Sequence, residues 1–292
     1  MNFVSMSEQV IEANNIGIWC QTFGKPKKPA IILTMGAGGQ GILWRDEFCQ
    51  KLADSGRFVV RYDNRDTGKS ASFDFDTSPY TLMDMAEDAV GILDAFSIKK
   101  AQFVGLSMGG YIAQLCAIHY PERVSSLVSI ASTINSNSLR GKIDTSQLPS
   151  HKKESVEKIQ EIFKRPRESF FDKVEALTDI WRVFNGNDTK FKYDEWNRLA
   201  ELSYTRLEDK KNAMKNHSKA TNITPANRTE DMKNLTVKAL FIHGESDPII
   251  QKEHAIYSAQ HTKKSELCLI PTMGHLLSSS FDDIITKKIL DF

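Results

Sequence analysis

A serine flanked by glycines is the residue whose surroundings most clearly suggest chemistry. Gly105, Ser107 and Gly109 form a G-x-S-x-G pattern that follows a short apolar run and precedes the helix-compatible segment 111–118. The pattern predicts a strand, a tight turn and a helix, with the serine hydroxyl raised above the end of a sheet. Met108 would open the helix, so that its free backbone N–H faces a developing negative charge. The spacing therefore predicts a serine nucleophile.

This serine could be activated by two residues from the C-terminal part of the chain. A nucleophilic serine needs a base within hydrogen-bond reach, and the base needs a carboxylate that orients it. Asp247 follows a predicted strand at 237–243, and His275 lies in a glycine-containing loop after the last predicted strand. The chain order Ser, Asp, His, with each residue after a strand, is typical of a triad on an α/β sheet. We interpret Ser107, Asp247 and His275 as catalytic residues, with Glu245 as the alternative acid.

The glycine-rich segment 36–41 allows two interpretations. It follows a continuous apolar run at 29–35, matches G-x-G-x-x-G, and is followed by Asp63 where the ribose-binding acid of a dinucleotide site would lie. However, a dinucleotide site needs its third glycine in the first turn of a helix, whereas the residues here resemble the end of a loop. We therefore favour an oxyanion loop, in which the backbone N–H of Ala37 points to the same place as that of Met108.

Other patterns carry less chemical information. Gly68-Lys69-Ser70 resembles the end of a P-loop, but Asp63 stands where that motif needs a glycine, so we interpret the turn 63–70 as a support for the site. The histidines outside the proposed triad form no H-E-x-x-H or similar pattern, and we expect neither a metal nor a cofactor. These histidines are His119, His151, His217, His243, His254 and His261.

The composition is that of an ordinary globular protein. Its 292 residues are 40% hydrophobic and 26% charged, which is enough for a sizeable core. A formal net charge of +1 offers no electrostatic case for nucleic acid or an anionic membrane and favours a small-molecule partner. Residues 1–12 lack the basic start and apolar run of a secretory signal, so we expect a cytoplasmic protein. The scattered cysteines are expected to be reduced core thiols; they are Cys20, Cys49, Cys116 and Cys268.

Strands and helices alternate over most of the chain. An antiparallel hairpin is predicted at 7–19, and further strands at 29–35, 57–62, 102–106, 124–130, 237–243 and 266–270. Helices are predicted at 44–55, 250–260 and 281–292. One further helix is predicted to begin at 81, and another follows the proposed nucleophile Ser107. This order predicts an α/β fold with a mostly parallel, eight-stranded sheet and helices on both faces.

The alternation is interrupted between 133 and 225, where charges are frequent and apolar residues have helical spacing. One predicted helix starts near Pro166; its apolar residues are Phe170, Val174, Leu177, Trp181 and Phe184. A second contains Trp196, Leu199, Ala200 and Leu207. An insertion of this length is too long for a loop. We therefore predict a helical cap at 133–225 over a core domain made of 1–132 and 226–292.

Taken together, these motifs resemble the α/β-hydrolase fold superfamily over nearly the whole chain. The run Arg61-Tyr62-Asp63-x-Arg65-Asp66-x-Gly68-x-Ser70, with Gly105-Leu106-Ser107-Met108-Gly109-Gly110, is similar to the capped subgroup that contains aclacinomycin methylesterase. The resemblance implies hydrolysis of a carboxylic ester of a small, largely apolar molecule through an acyl-enzyme, by a monomer or homodimer without a cofactor. A serine at position 107, where some relatives have aspartate, disfavours haloalkane dehalogenase and epoxide hydrolase chemistry.

Three alternatives remain open at this point. Capped relatives share the triad while cleaving carbon–carbon bonds or N-terminal peptide bonds. Other proteins of this fold are ligand sensors with little turnover. A dinucleotide-binding oxidoreductase would bind NAD(P)H and would not need Ser107.

Overall fold

The fold is described by a computed structural model that covers residues 7–143, 145–207 and 213–292. These residues form an eight-stranded sheet with the strand order β1-β2-β4-β3-β5-β6-β7-β8. The strands are β1 Ser7–Ala13, β2 Ile16–Phe23, β3 Ala30–Thr34, β4 Phe58–Tyr62, β5 Ala101–Leu106, β6 Val124–Ile130, β7 Ala239–Gly244 and β8 Ser265–Ile270. The predicted α/β architecture and the number of strands are confirmed.

The sheet is parallel except at one edge. β1 pairs with β2 and β2 pairs with β4 in antiparallel register, while the neighbours from β4 to β8 are parallel. The predicted hairpin is therefore the antiparallel edge. Since parallel strands all end at the same side, the loops after β3, β5, β7 and β8 meet along one edge of the sheet.

Helices cover both faces of the sheet. The core helices are α1 Asp46–Asp54, α2 Leu82–Ala95, α3 Met108–His119, α9 Glu253–Gln260 and α10 Asp282–Asp291. Side chains of each central strand alternate between two buried clusters, as Phe103 and Val104 on β5 illustrate. Burial on both faces explains why these strands read as continuous apolar runs and not as alternating patterns.

The segment between β6 and β7 is helical. It contains α4 Lys153–Lys164, α5 Phe170–Asn185, α6 Tyr193–Thr205, α7 Ala213–Ile223 and α8 Thr229–Lys233. The prediction that α5 starts near Pro166 was wrong, because Ser169 and Asp172 form a capping box that begins the helix at Phe170. α6 holds three of the four apolar residues assigned to it and ends before Leu207.

The two ends of this insertion lie side by side. The N–H of Ser136 donates to the carbonyl of Ala226, and the N–H of Arg228 donates to the carbonyl of Ile134, each at 2.9 Å. The insertion therefore leaves and rejoins the core at one place. None of the helices in the described ranges is both long and apolar enough to cross a membrane.

Candidate active site

Ser107 lies in the turn between β5 and α3. Its backbone has φ 55° and ψ −118°, a conformation that an L-residue rarely adopts and that costs about 1–3 kcal/mol. The end of β6 holds this turn, because Ser107 N–H donates to Ile130 O and Ser132 Oγ donates to Ser107 O, both at 2.8 Å. Among the residues that the structure describes, none hydrogen-bonds to the Ser107 hydroxyl. A strained backbone thus presents a free hydroxyl at the carboxyl edge of the sheet.

The end of β3 approaches this turn closely. A Cβ on Gly109 would overlap the carbonyl oxygen of Thr34, so only glycine allows α3 to pack against β3 at this point. The loop that follows β3 lies against the serine side chain. A Cβ placed on Gly36 would be 3.2 Å from the Cβ of Ser107 and 3.8 Å from its Oγ. The segment predicted to be an oxyanion loop is therefore next to the candidate nucleophile.

Two backbone N–H groups near Ser107 could bind an oxyanion. Met108 is the first residue of α3, so its N–H is one of the four at the helix start that have no acceptor within the helix. The N–H of Ala37, the residue after Gly36, forms no hydrogen bond with any described residue. Unpaired donors beside a nucleophile are what an oxyanion hole requires.

Asp247 and His275 are in direct contact. His275 Nδ1 lies 2.8 Å from Asp247 Oδ2, and both side chains are buried. The other carboxylate oxygen, Oδ1, accepts from the N–H groups of Ile249 and Ile250, at 2.8 and 2.9 Å. These bonds form a turn and explain why α9 begins at Glu253, three residues after the predicted Ile250. The contact leaves His275 Nε2 as the ring nitrogen available for a reaction.

His243 is a second histidine beside the same carboxylate. Its Nε2 lies 2.7 Å from the carbonyl of Ile250 and 3.3 Å from Asp247 Oδ2, and its Nδ1 has no partner among the described residues. Burial by itself would raise the pKa of Asp247, but the charge of His275 and the hydrogen bonds from both histidines hold that pKa well below its usual range. His243 lies near the end of β7, and a histidine in that position has no sequence pattern that would indicate this contact.

The alternative acid is directed elsewhere. Glu245 Oε2 lies 3.5 Å from Lys252 Nζ, and both side chains are more than one third exposed. The contact with His275 is therefore made by Asp247, the residue favoured from the chain order.

The loop that carries His275 packs against the insertion. His275 N–H donates to the carbonyl of Phe184 at 2.7 Å, and the Phe184 ring meets the imidazole edge-on with 5.5 Å between ring centres. Phe184 is in the last turn of α5. His275 is therefore held in place by the core sheet and by a helix of the insertion together.

Asp63 is fully engaged within the protein. Its Oδ1 accepts from Gly41 N–H at 2.7 Å, and its Oδ2 accepts from Lys69 N–H and from Arg206 Nη2, both at 2.9 Å. Burial raises the pKa of Asp63, an effect that the Arg206 charge and these hydrogen bonds oppose. The third glycine of the loop, Gly41, begins a short 3₁₀ turn that ends at Leu43 and not an α-helix. Because these contacts engage both carboxylate oxygens, Asp63 is not available to bind the hydroxyl groups of a ribose.

The described ranges contain no group of three or more His, Cys, Asp or Glu side chains placed to hold a metal ion. No disulfide links the four cysteines, and burial raises the pKa of each thiol. Within this part of the chain the site thus consists of serine, histidine, aspartate and backbone N–H groups.

The chain belongs to the α/β-hydrolase fold family, whose model matches residues 29–280. It is 29% identical to rhodomycin D methylesterase DauP of Streptomyces sp. (strain C5) and 28% identical to rhodomycin D methylesterase DnrP of Streptomyces peucetius. Each alignment covers 97% of both chains. The resemblance to the subgroup of aclacinomycin methylesterase is thereby confirmed.

A solved structure shows the same fold. The 2-hydroxy-6-oxo-6-phenylhexa-2,4-dienoate hydrolase BphD of Rhodococcus sp. strain RHA1 superposes with a TM-score of 0.79 over 99% of this chain and 98% of its own. The two sequences are 18% identical, so the likeness concerns the fold alone.

Proposed function

We propose that this protein is a serine hydrolase that cleaves a carboxylic ester of a small, largely apolar molecule. The α/β-hydrolase fold and two methylesterase relatives that match nearly the whole chain support an ester-hydrolysing enzyme. The observation that carries the proposal is the buried contact of 2.8 Å between His275 Nδ1 and Asp247 Oδ2, on the sheet edge where Ser107 is also found.

In the first half of the reaction, His275 Nε2 takes the proton of the Ser107 hydroxyl while Oγ attacks the ester carbonyl. Asp247 keeps Nδ1 protonated and stabilises the imidazolium. The carbonyl oxygen becomes an oxyanion that accepts from the N–H groups of Met108 and Ala37. Collapse of the tetrahedral intermediate breaks the ester bond, and the alcohol leaves with the proton from His275.

In the second half, water replaces the alcohol. His275 removes a proton from water as the oxygen attacks the acyl-enzyme, and the same two N–H groups bind the new oxyanion. His275 then returns the proton to Ser107 Oγ, which releases the carboxylic acid. Atoms and protons balance with one water consumed per ester, and no step requires a cofactor.

We also assign residues 133–225 as the cap and residues 1–132 and 226–292 as the core. The backbone pairing of 134–136 with 226–228 supports these boundaries, because it closes the insertion at its base. The contact between Phe184 and His275 supports a position of the cap over the site.

The proposal is tested by labelling with a fluorophosphonate probe, followed by mass spectrometry of the labelled peptide. We expect labelling of Ser107 in the wild-type protein and none in Ser107→Ala or in heat-denatured wild type. A folded wild-type protein that is not labelled would contradict the proposed function.

Substrate classes can be separated once labelling is established. Methyl and short-chain esters of aromatic acids should be hydrolysed faster than amino-acid amides, and faster than diketones whose hydrolysis requires cleavage of a carbon–carbon bond. Labelling without turnover of any ester would instead favour the ligand-sensor alternative.

A further inference from the structure

A histidine of the insertion contacts the proposed oxyanion loop. His217, on α7, is completely buried. Its Nδ1 accepts from the N–H of Gly38 at 2.9 Å, and its Nε2 lies 2.8 Å from the carbonyl oxygen of Arg65. Because a carbonyl can only accept, Nε2 must carry the hydrogen. Nδ1 is then free to accept from Gly38, so both contacts are satisfied by one neutral tautomer.

The residue that His217 holds is next to Ala37, the proposed oxyanion donor. Gly38 has φ +68°, a left-handed conformation that favours glycine. A Cβ at Gly38 would lie 3.0 Å from Met214 Cε, so α7 also covers this residue closely. On the other side of Ala37, Gly36 lies against Ser107. Ala37 is therefore flanked by a residue that lies against the nucleophile turn and a residue that hydrogen-bonds to α7, and Gly39 N–H closes the turn around it by donating to the carbonyl of Gly36 at 3.1 Å.

The far end of the loop is also attached to the insertion, by different residues. Arg206 donates to Gln40 Oε1 at 2.7 Å, and Gln40 Nε2 donates to the carbonyl of Ser203 at 2.8 Å. Asp63 accepts from Gly41 N–H. These contacts fix residues 40 and 41 but none of them reaches Ala37. Of the hydrogen bonds that the described insertion side chains make to this loop, the one between Gly38 N–H and His217 Nδ1 lies nearest to Ala37.

We propose that His217 is a positioning residue for catalysis: from the cap, its neutral imidazole orients the loop 36–41 so that the Ala37 N–H meets the oxyanion. The inference rests on the proposed function for its catalytic consequence. His217 takes no part in proton transfer, because both of its ring nitrogens are occupied by backbone groups. The charged groups that face it are Asp66 and Arg65, from the turn after β4.

Two substitutions separate the contacts of this histidine. In His217→Gln the amide nitrogen can replace Nε2 as donor to Arg65 O, but the acceptor for Gly38 is lost. In His217→Asn the amide oxygen can replace Nδ1 as acceptor for Gly38, but the donor no longer reaches Arg65. Each variant therefore serves as the control for the other, at the same position and with the same functional group.

The positioning role predicts that His217→Gln lowers kcat by about 10²-fold, the effect of weakening one oxyanion donor, while KM changes by less than about twofold. The affinity for a boronic acid that forms a tetrahedral adduct with Ser107 should fall by the same factor. His217→Asn should stay within about fivefold of wild type in kcat. A merely structural role would instead lower the melting temperature of both variants equally and leave kcat of the folded fraction unchanged, which would overturn the inference.

A second measurement does not depend on activity. Amide hydrogen exchange of the peptide containing residues 36–41 should be about tenfold faster in His217→Gln than in His217→Asn, because Gly38 N–H loses its acceptor. Equal exchange in the two variants would overturn the inference even if the protein hydrolyses esters. Faster exchange in a protein that fluorophosphonate does not label would support the placement of the loop while contradicting the proposed function.

If neither variant folds, the wild-type protein still decides the question. Imidazole ¹⁵N shifts at neutral pH should show His217 with an unprotonated Nδ1 and a protonated Nε2. A protonated Nδ1 would contradict the hydrogen bond from Gly38 and with it the inference.

Discussion

The two sides of the candidate site depend on the insertion in different ways. On the base side, His275 and Asp247 come from loops of the core sheet, and the hydrogen bond that the insertion makes to His275 itself uses a backbone carbonyl, that of Phe184. On the oxyanion side, the loop 36–41 is held by insertion side chains, His217 and Arg206. A backbone carbonyl is available whatever the residue type, whereas an imidazole or a guanidinium is not. The oxyanion side should therefore be the more sensitive to substitutions in the cap.

The largest effect is expected from a change confined to the core. Asp247→Asn would remove the acceptor that fixes the His275 tautomer, and by analogy with other triads kcat should fall by about 10⁴-fold. Glu245→Gln is the matched control, because it makes the same change two residues away on a side chain that contacts Lys252. Steady-state kinetics on one ester would measure both. A comparable loss in Glu245→Gln would mean that the acid has been assigned to the wrong residue.

On the oxyanion side, the largest loss of stability is expected at Arg206. Arg206→Met would leave the Asp63 carboxylate buried without its counter-charge, and the free energy of unfolding should fall by about 3–5 kcal/mol. The double variant with Asp63→Asn should recover part of this loss. Urea denaturation measures all three proteins. Lys233→Met is the control, since its exposed ion pair with Glu230 should contribute at most about 1 kcal/mol.

The matching change on the base side should be mild. Phe184→Ala keeps the carbonyl that accepts from His275 N–H and removes the edge-on ring contact, which is worth about 0.5–1.5 kcal/mol. Its kcat should therefore fall by no more than about tenfold, less than in His217→Gln. A larger fall in Phe184→Ala would reverse the comparison between the two sides.

A smaller effect is expected on the pH dependence of stability, through two buried histidines. Burial lowers the pKa of His217, with the Arg65 charge acting in the same direction and Asp66 and the contact with Arg65 O opposing it. Burial also lowers the pKa of His254, helped by His243 and His151 and opposed by backbone contacts. Each histidine therefore stays neutral to a lower pH in the folded protein than in the unfolded chain.

The unfolded chain takes up more protons at these histidines once the pH is below about 6.5, their unperturbed pKa. Above that pH these histidines do not reduce the free energy of unfolding. As the pH drops from there toward their lowered pKa values in the folded protein, the free energy of unfolding falls by at most about 1.4 kcal/mol per pH unit for each histidine. His217→Asn and His254→Gln should each flatten this slope, measured by urea denaturation between pH 5 and 7, with the exposed His119→Gln as control. An unchanged slope in both buried variants would contradict the prediction.

Features with a local signal could be predicted from the sequence. The apolar run before Ser107, the glycines around it and the helix-compatible run after it lie within twenty residues, and their backbone preferences do not depend on distant contacts. Asp247 and His275 could be proposed for the triad because each follows a strand and chain order restricts the possible roles. Pro166 shows the limit of this approach, because the capping box of Ser169 and Asp172 was a competing local signal that began the helix four residues later.

The amino-acid sequence by itself determined the alternation of strands and helices, the family resemblance and the residues proposed for the triad, since all of these depend on local pattern and order. Only the tertiary structure decided which side chains support them. His217 lies 179 residues from Gly38 in the chain, Arg206 lies 143 from Asp63, and His243 meets Asp247 only because the turn between them folds back. A hydrogen bond between a helix of the insertion and a loop of the core leaves no periodicity or motif in either segment. Such contacts are set by how the insertion packs on the sheet edge, and that packing is a property of the whole chain.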